Sequence, residues 1–284
     1  MHRFTVSLSL AFVVLLSLVT GGMSTRAQEA TPPGIAPNTP GETVALNGAD
    51  IYYEVYGEGD PVVLVHGCCG SGEDWVNQIP AFLDAGYQLI VIDSRGRGHS
   101  SLGPEPLSYE LMASDVLGVL DHLGIDQAAL VAWSDGAVIA LELGLHHPER
   151  LTKVVAYGAN YIPEGVLLET DEATPSAEAT PGADPAVEDM DPVFAALLAL
   201  WEVAPNFSED ELKSISVPFL ILDGEVEEIV RSDQAVRLAE LIPGATLVLM
   251  PGVGHFAMFD KPEEFNRIVL EYLASPTGGA TPTS

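Results

Sequence analysis

Ser134 is the residue on which a covalent mechanism could turn. It stands in Ala132-Trp133-Ser134-Asp135-Gly136, between an apolar run at residues 128–132 and a segment with helical character at 137–145. A serine at a sharp strand-to-helix turn, flanked by residues small enough for tight backbone folding, projects its hydroxyl into a cleft, where a base can make it a nucleophile. The plain alternative is a serine that caps the helix, which needs no partners. Partners are present downstream. An apolar run at 246–250 leads into Pro251-Gly252-Val253-Gly254-His255-Phe256, and another at 217–222 leads into Asp223-Gly224-Glu225-Val226-Glu227-Glu228. His255 has the chemistry of a general base that takes the serine proton and returns it to a leaving group, while a carboxylate fixes the imidazole tautomer and stabilises the imidazolium. Gly254 lets that loop approach closely. Four carboxylates, Asp223, Glu225, Glu227 and Glu228, compete for the third place, and Asp223 also reads as a turn residue before Gly224.

Side chains that must meet at one point need elements to carry them there. From residue 61 onward strands are predicted at 61–65, 88–93, 128–132, 154–157, 217–222 and 246–250, alternating with helices at 75–85, 109–123, 135–146, 232–241 and 263–273. Apolar strands separated by helices indicate a mostly parallel sheet covered on both faces, so the predicted class is α/β. Such sheets gather their chemistry in loops at the carboxyl ends of strands, where Ser134, the acids at 223–228 and His255 all lie. Upstream, 43–46 and 51–56 flank Asn47-Gly48, a hairpin signal. His146 and His147 end a helix before Pro148, where cations suit the dipole, and carry no predicted chemistry.

Over residues 43–273 the chain resembles the α/β-hydrolase superfamily. Val62-Val63-Leu64-Val65-His66-Gly67-Cys68 resembles the strand and His-Gly turn that supply half of that family's oxyanion hole. Asp93-Ser94-Arg95-Gly96-Arg97-Gly98-His99-Ser100 resembles its Asp-x-Arg-Gly-x-Gly-x-Ser turn, which is architectural and gives Arg95 and His99 no catalytic part. The resemblance implies an eight-stranded, mostly parallel sheet with a small cap insertion, and a chain order of nucleophile, acid, histidine. It implies an oxyanion hole built from the backbone N–H groups of Cys68 and Asp135. It places Glu227 where the family carries its catalytic aspartate, so that Ser134, Glu227 and His255 form the expected triad and Asp223 is the alternative acid. Glutamate is one methylene longer and must retract its carboxylate. The elbow departs from Gly-x-Ser-x-Gly at Ala132, which adds only a methyl group. Trp133-Ser134-Asp135-Gly136, with Ala159-Asn160-Tyr161 and Gly254-His255-Phe256, is most similar to bacterial relatives of valacyclovir hydrolase, in which the aspartate after the nucleophile recognises the ammonium of amino-acid esters. That likeness implies substrate contacts at Asp135, Trp133, Asn160 and Trp201; the simpler account of Asp135 is a negative charge suited to a helix N-terminus.

Composition bounds the partners. The 284 residues are 47% hydrophobic, and 11 basic residues stand against 41 acidic ones for a net charge of −30. One domain of this length can bury a full core. The acidity repels phosphate and so excludes nucleic acid and anionic lipid as partners; solubility outside the cell is its plain role. Residues 1–27 combine Arg3, an apolar stretch at 4–19 and Thr25-Arg26-Ala27, the layout of a secretory signal peptide cut after Ala27. The stretch is also near the minimum of roughly 17 residues for a membrane anchor. Cleavage would remove two arginines and no acid, leaving 9 basic and 41 acidic residues and a charge of −32. Cys68 and Cys69 are the only cysteines. Their adjacent Cα atoms are closer than a relaxed disulfide takes, so two thiols are expected. No His or Cys cluster has metal-ligand spacing, and the motifs call for no cofactor.

The expected organisation is a signal peptide at 1–27, a flexible linker at 28–42, a hydrolase-like domain at 43–274 with a cap insertion at 160–216, and a flexible tail at 275–284. Within the insertion, 169–191 is acidic low-complexity sequence without Lys or Arg, expected to be mobile. Phe194, Leu197, Leu198 and Trp201 recur at helical spacing, as in a packed cap helix. The expected protein is an exported serine hydrolase that cleaves a small-molecule carboxylic ester, an amino-acid ester or an amide through an acyl-enzyme on Ser134, with no nucleic-acid partner and no stable membrane insertion after leader cleavage. The same triad would serve a C–C bond hydrolase or a cofactor-free perhydrolase, and a non-catalytic binding protein could keep the scaffold.

Overall fold

Apolar runs form strands here because helices cover both of their faces: all six residues of β5 (Ala128–Trp133) are buried, and so are all six of β7 (Phe219–Gly224), in which four apolar residues precede Asp223 and Gly224. The computed structural model describes residues 36–38, 41–167 and 191–276. Among these, β1 (Glu42–Leu46), β2 (Ala49–Tyr56), β3 (Asp60–Val65), β4 (Tyr87–Ile92), β5, β6 (Leu151–Tyr157), β7 and β8 (Thr246–Met250) make one sheet. Its order is β1-β2-β4-β3-β5-β6-β7-β8. The β1–β2 and β2–β4 pairs are antiparallel and the other five are parallel, as expected. Asn47 and Gly48 turn the β1–β2 hairpin with φ of 49° and 77°, the pair of positive values that this type of two-residue turn requires.

The helices are α1 (Ile79–Asp84), α2 (Tyr109–Leu123), α3 (Asp135–His146), α4 (Pro192–Trp201), α5 (Glu209–Ser214), α6 (Ser232–Leu241), α7 (Ala257–Asp260) and α8 (Pro262–Ala274). Alternate strand residues separate into two cores. Val63, Val65, Leu130, Ala132, Ala156 and Ile221 pack with α2, α3 and α6; Val62, Leu64, Val131, Tyr157 and Leu222 pack with α1 and α8. Helix ends follow their side chains. Ser108 Oγ accepts the Leu111 N–H at the start of α2, and Gly124, at φ 69°, stops it.

Most predicted strand ends shift by one to three residues, β6 most, starting at Leu151 rather than 154; two elements change at proline. The helix expected at 75–85 divides into a single turn at Gly72–Trp75 and α1, because Pro80 is tolerated only in a first turn. The strand expected at 217–222 is β7 instead, so Asp223 and Gly224 belong to the strand and pair with Leu249 and Met250 of β8. Asp223 is therefore not a turn residue. Between β6 and β7 the chain leaves the sheet to form α4 and α5. Asp191 caps α4 through the N–H groups of Val193 and Phe194, and Ser208 and Glu211 form a capping box on α5. The expected leader at 1–27 and tail beyond 276, and all but residue 191 of the expected low-complexity stretch, lie outside the described residues. No described helix is long and apolar enough to cross a membrane.

Candidate active site

Ser134 closes β5 and opens α3 with φ 55° and ψ −119°, a conformation that costs an L-residue roughly 1–3 kcal/mol and persists only when its surroundings fix it. They do so through the Ser134 N–H, which donates to the Tyr157 carbonyl at 2.8 Å, and through the Ser134 carbonyl, which accepts from Ala137 and Val138. The hydroxyl makes no capping hydrogen bond to the helix, so the simple capping role does not hold. Gly136 is what lets the turn close: a Cβ there would lie 2.4 Å from the Val65 carbonyl oxygen.

His255 is 3% exposed and held on three sides. Its Nδ1 lies 2.8 Å from Glu227 Oε1, its backbone N–H donates to Glu228 Oε2 at 3.0 Å, and its carbonyl accepts from Trp133 Nε1 at 2.9 Å. With Nδ1–H donating to a carboxylate, Nε2 is the nitrogen free to take a proton. Gly254 gives Glu228 its room, since a Cβ at that position would overlap Glu228 Oε2. Tyr157 fastens the same loop by donating to the Gly254 carbonyl and accepting from the Ala257 N–H.

The structure brings Glu227, not Asp223, to the imidazole. Glu227 Oε1 also accepts the N–H groups of Ile229 and Val230 at 2.9 and 3.0 Å, and the side chain is fully buried. Burial alone would raise its pKa; the charge of His255 and the hydrogen bonds from His255, Asp223 and Val230 outweigh burial and hold it down at about 2. Asp223 goes the other way, raised to about 9 by burial and then by the charge of Glu227. Glu225 is exposed and accepts the Gly252 N–H.

On the opposite side of the elbow, His66 shapes the expected oxyanion loop. Its Nε2 accepts the Ser94 N–H at 2.9 Å and its Nδ1 lies 2.6 Å from the Gly67 carbonyl, a neutral tautomer favoured by burial and by Arg97, which lower its pKa to about 4. Cys68 and Cys69 follow as half-buried free thiols with sulfurs 3.1 Å apart; the hydrogen bond to Cys69, then burial, pushes the Cys68 thiol well up. Arg95, fully buried, forms a two-pronged pair with Asp115, an architectural role.

Asp135 begins α3 and is 5% exposed. Its Oδ1 accepts from Tyr109 OH at 2.7 Å and from Trp201 Nε1 at 3.0 Å, and Arg97 Nη2 stands 3.7 Å from its Oδ2. Its charge is thus faced by a buried guanidinium, and the cap helix α4 is tied to the elbow through Trp201. Trp133 is 3% exposed; it donates to the His255 carbonyl and packs on Phe256 and Phe259. Asn160, also buried, donates to the Ile162 carbonyl. Arg97 occupies an unspecified position of the Asp93–Ser100 turn, and Tyr109 and Tyr157 sit in no recognised pattern; each acts across the fold, so sequence reasoning missed all three. Among the described residues no group of three or more His, Cys, Asp or Glu side chains is placed to hold a metal ion.

A strained serine, a histidine committed through one nitrogen to a buried carboxylate, and strand-end loops that carry both define an enzyme of the nucleophilic hydrolase class. A family model described as alpha/beta hydrolase fold matches residues 60–201, and the chain belongs to that family. It is similar to the non-heme chloroperoxidase CPO-A1 of Kitasatospora aureofaciens, with 30% identity over 80% of this chain and 97% of the relative. It is similar to the 2-hydroxy-6-oxo-6-phenylhexa-2,4-dienoate hydrolase of Comamonas testosteroni, with 29% identity over 78% of this chain and 91% of the relative. The solved structure of Est816, described as an N-acyl homoserine lactone degrading enzyme, superposes with a TM-score of 0.64 at 28% identity, covering 81% of this chain and 99% of that one.

Proposed function

We propose that this protein is an exported serine hydrolase that cleaves a small-molecule carboxylic ester through an acyl-enzyme on Ser134. The observation that carries this reading is the strained Ser134 backbone together with His255 Nδ1 held at 2.8 Å by Glu227. In the first half-reaction Ser134 Oγ attacks the ester carbonyl carbon and its proton passes to His255 Nε2. The N–H groups of Cys68 and Asp135 stabilise the tetrahedral oxyanion, and the alcohol leaves with the proton from His255. Water, activated by the same histidine, then releases the acid. Expected substrates are uncharged esters rather than amino-acid esters, because Asp135 already faces Arg97, Tyr109 and Trp201.

The test is a panel of acyl and aryl esters, run with fluorophosphonate labelling of the parent protein and Ser134→Ala. Turnover and labelling of the parent, both absent from a folded Ser134→Ala protein, are expected; undiminished turnover by that variant would refute the assignment, and labelling without turnover of any ester would move it to another acyl or C–C substrate. The similarity to a chloroperoxidase and to a dienoate hydrolase supports those two alternatives, which the same panel separates when hydrogen peroxide or a vinylogous 1,5-diketone is supplied. Export rests on the leader at 1–27; protein recovered outside the cytoplasm with Gln28 as its first residue is the expected result.

A further inference from the structure

We propose that Asp223 is a positioning residue of the triad: its neutral carboxyl group donates an Oδ2–H hydrogen bond to Glu227 Oε2 and holds the long glutamate side chain retracted against His255. The proposal rests on the Ser134, His255 and Glu227 assignment and adds a fourth member to it.

It follows from accounting for the four oxygens one at a time. Glu227 Oε1 receives three N–H donors, from His255, Ile229 and Val230. Asp223 Oδ1 receives the Gly224 N–H at 2.8 Å. Glu227 Oε2 and Asp223 Oδ2 remain, both inaccessible to solvent and neither receiving an N–H or O–H from any other described group, while the two side chains lie within hydrogen-bonding reach of each other. Two ionised carboxylates cannot face each other in a dry contact; one of them keeps a proton, and a single shared proton satisfies both orphaned oxygens.

Which group keeps it is decided by the surroundings. Glu227 has the imidazole and two further N–H groups to stabilise its charge, whereas Asp223 has only the Gly224 N–H. Of the other titratable groups near Asp223, Glu228, from the loop after β7, disfavours a second negative charge; the Tyr157 hydroxyl, from β6, is itself pushed up by burial and these carboxylates and stays neutral, and His255, after β8, is held by Glu227. The proton therefore sits on Asp223, in line with its rise to about 9 and the fall of Glu227 to about 2. A glutamate in the acid position has one more rotatable bond than an aspartate. The Asp223 hydrogen bond removes that freedom on the side that the backbone N–H groups do not reach.

Asp223→Asn and Asp223→Leu separate this role from a structural one. In the Asn variant Oδ1 still accepts from Gly224 and Nδ2–H donates to Glu227, so kcat and the rate of Ser134 labelling by a fluorophosphonate should stay within about threefold of the parent. Leu has similar size and no donor; it should lower both by about 10- to 100-fold with KM held, the scale of one charge-assisted hydrogen bond. The parent should lose activity as pH rises through about 9, when Asp223 ionises and repels Glu227. The Asn variant has nothing to ionise there and should keep its activity. A Leu variant as active as Asn overturns the proposal, and so does an Asn variant as impaired as Glu227→Gln, which would make Asp223 the ionised acid. If the Leu variant does not fold, the alkaline profile of the Asn variant decides alone: the limb vanishes if the proposal holds and persists if it fails. The labelling rates depend on no particular ester, so failure of the ester assignment leaves this ordering readable.

Discussion

Glu227→Gln tests the acid directly. The amide oxygen can take the place of Oε1 and keep the N–H groups of His255, Ile229 and Val230, so geometry survives and the negative charge is what disappears. At an effective dielectric constant near 20, that charge stabilises an imidazolium by about 4 kcal/mol for charge centres roughly 4 Å apart. Taken over the 2.8 Å contact itself, the same relation gives about 6 kcal/mol. At about 1.36 kcal/mol per tenfold, kcat should fall by about 10³ to 10⁴. The new amide nitrogen, however, points at Asp223 Oδ2 and donates to it. Asp223 then loses the charge that, after burial, holds its pKa up and gains an N–H donor, so it ionises and restores a negative charge one side chain farther from the imidazole. The single variant should accordingly fall at the mild end, about 10³-fold, and Glu227→Gln combined with Asp223→Asn should fall about tenfold further. Burst-phase release of p-nitrophenol from an activated ester measures acylation in the parent, the single variant and the double variant. A Glu227→Gln enzyme within tenfold of the parent, or a double variant no worse than the single one, would refute the reasoning.

Two further outcomes are expected. Asp135→Asn keeps the acceptor used by Tyr109 and Trp201 and removes the charge that faces Arg97, so the ratio of kcat/KM for an amino-acid ester to that for an uncharged ester of the same size should not change; a selective loss on the ammonium-bearing ester would restore a substrate role to that carboxylate. Asp74, buried beside Glu73 in the single turn at 72–75 and near Asp93, is raised from 3.8 to about 7, first by burial and then by those two charges. Its pKa is higher folded than unfolded, so its stabilising effect is complete in acid below about 4 and is lost as pH rises through about 7. Asp74→Asn should therefore raise Tm in alkaline buffer, by about 2–4 °C for each kcal/mol recovered, and leave it unchanged in acid; equal Tm at both would contradict the shift.

The fold was legible wherever local chemistry decided the element. α2, α3, α6 and β8 have the bounds that their apolar spacing and caps predict; other ends shift by one to three residues, and the changes at Pro80 and Pro218 come where a missing N–H overrides an apolar pattern. Ser134 and His255 were legible for the same reason, since each lies in a short segment whose small residues serve a local turn. Glu227 needed a family pattern, because four acids within six residues look alike in one dimension. Of what surrounds Asp135 only Trp201 was legible, as a residue of the cap; Arg97 from the turn after β4 and Tyr109 from α2 meet it only after the sheet has closed.

Packing distinguishes the four acids that sequence could not. The register of β7 against β8 carries Asp223 into the interior, beside Glu227 and away from the imidazole. The turn that follows leaves Glu225 in solvent, then drives Glu227 back inward, where the Ile229 and Val230 N–H groups and His255 converge on one oxygen. Glu228, at the rim, spends its carboxylate on the His255 N–H. His255 itself is thus bound to the acid loop at two points, backbone and ring. Because Glu227 must be ionised to orient the imidazole while the contact behind it tolerates only one charge, the proton on Asp223 is a condition of the site's geometry: remove the reason for that proton, and the carboxylate that orients His255 has no fixed place.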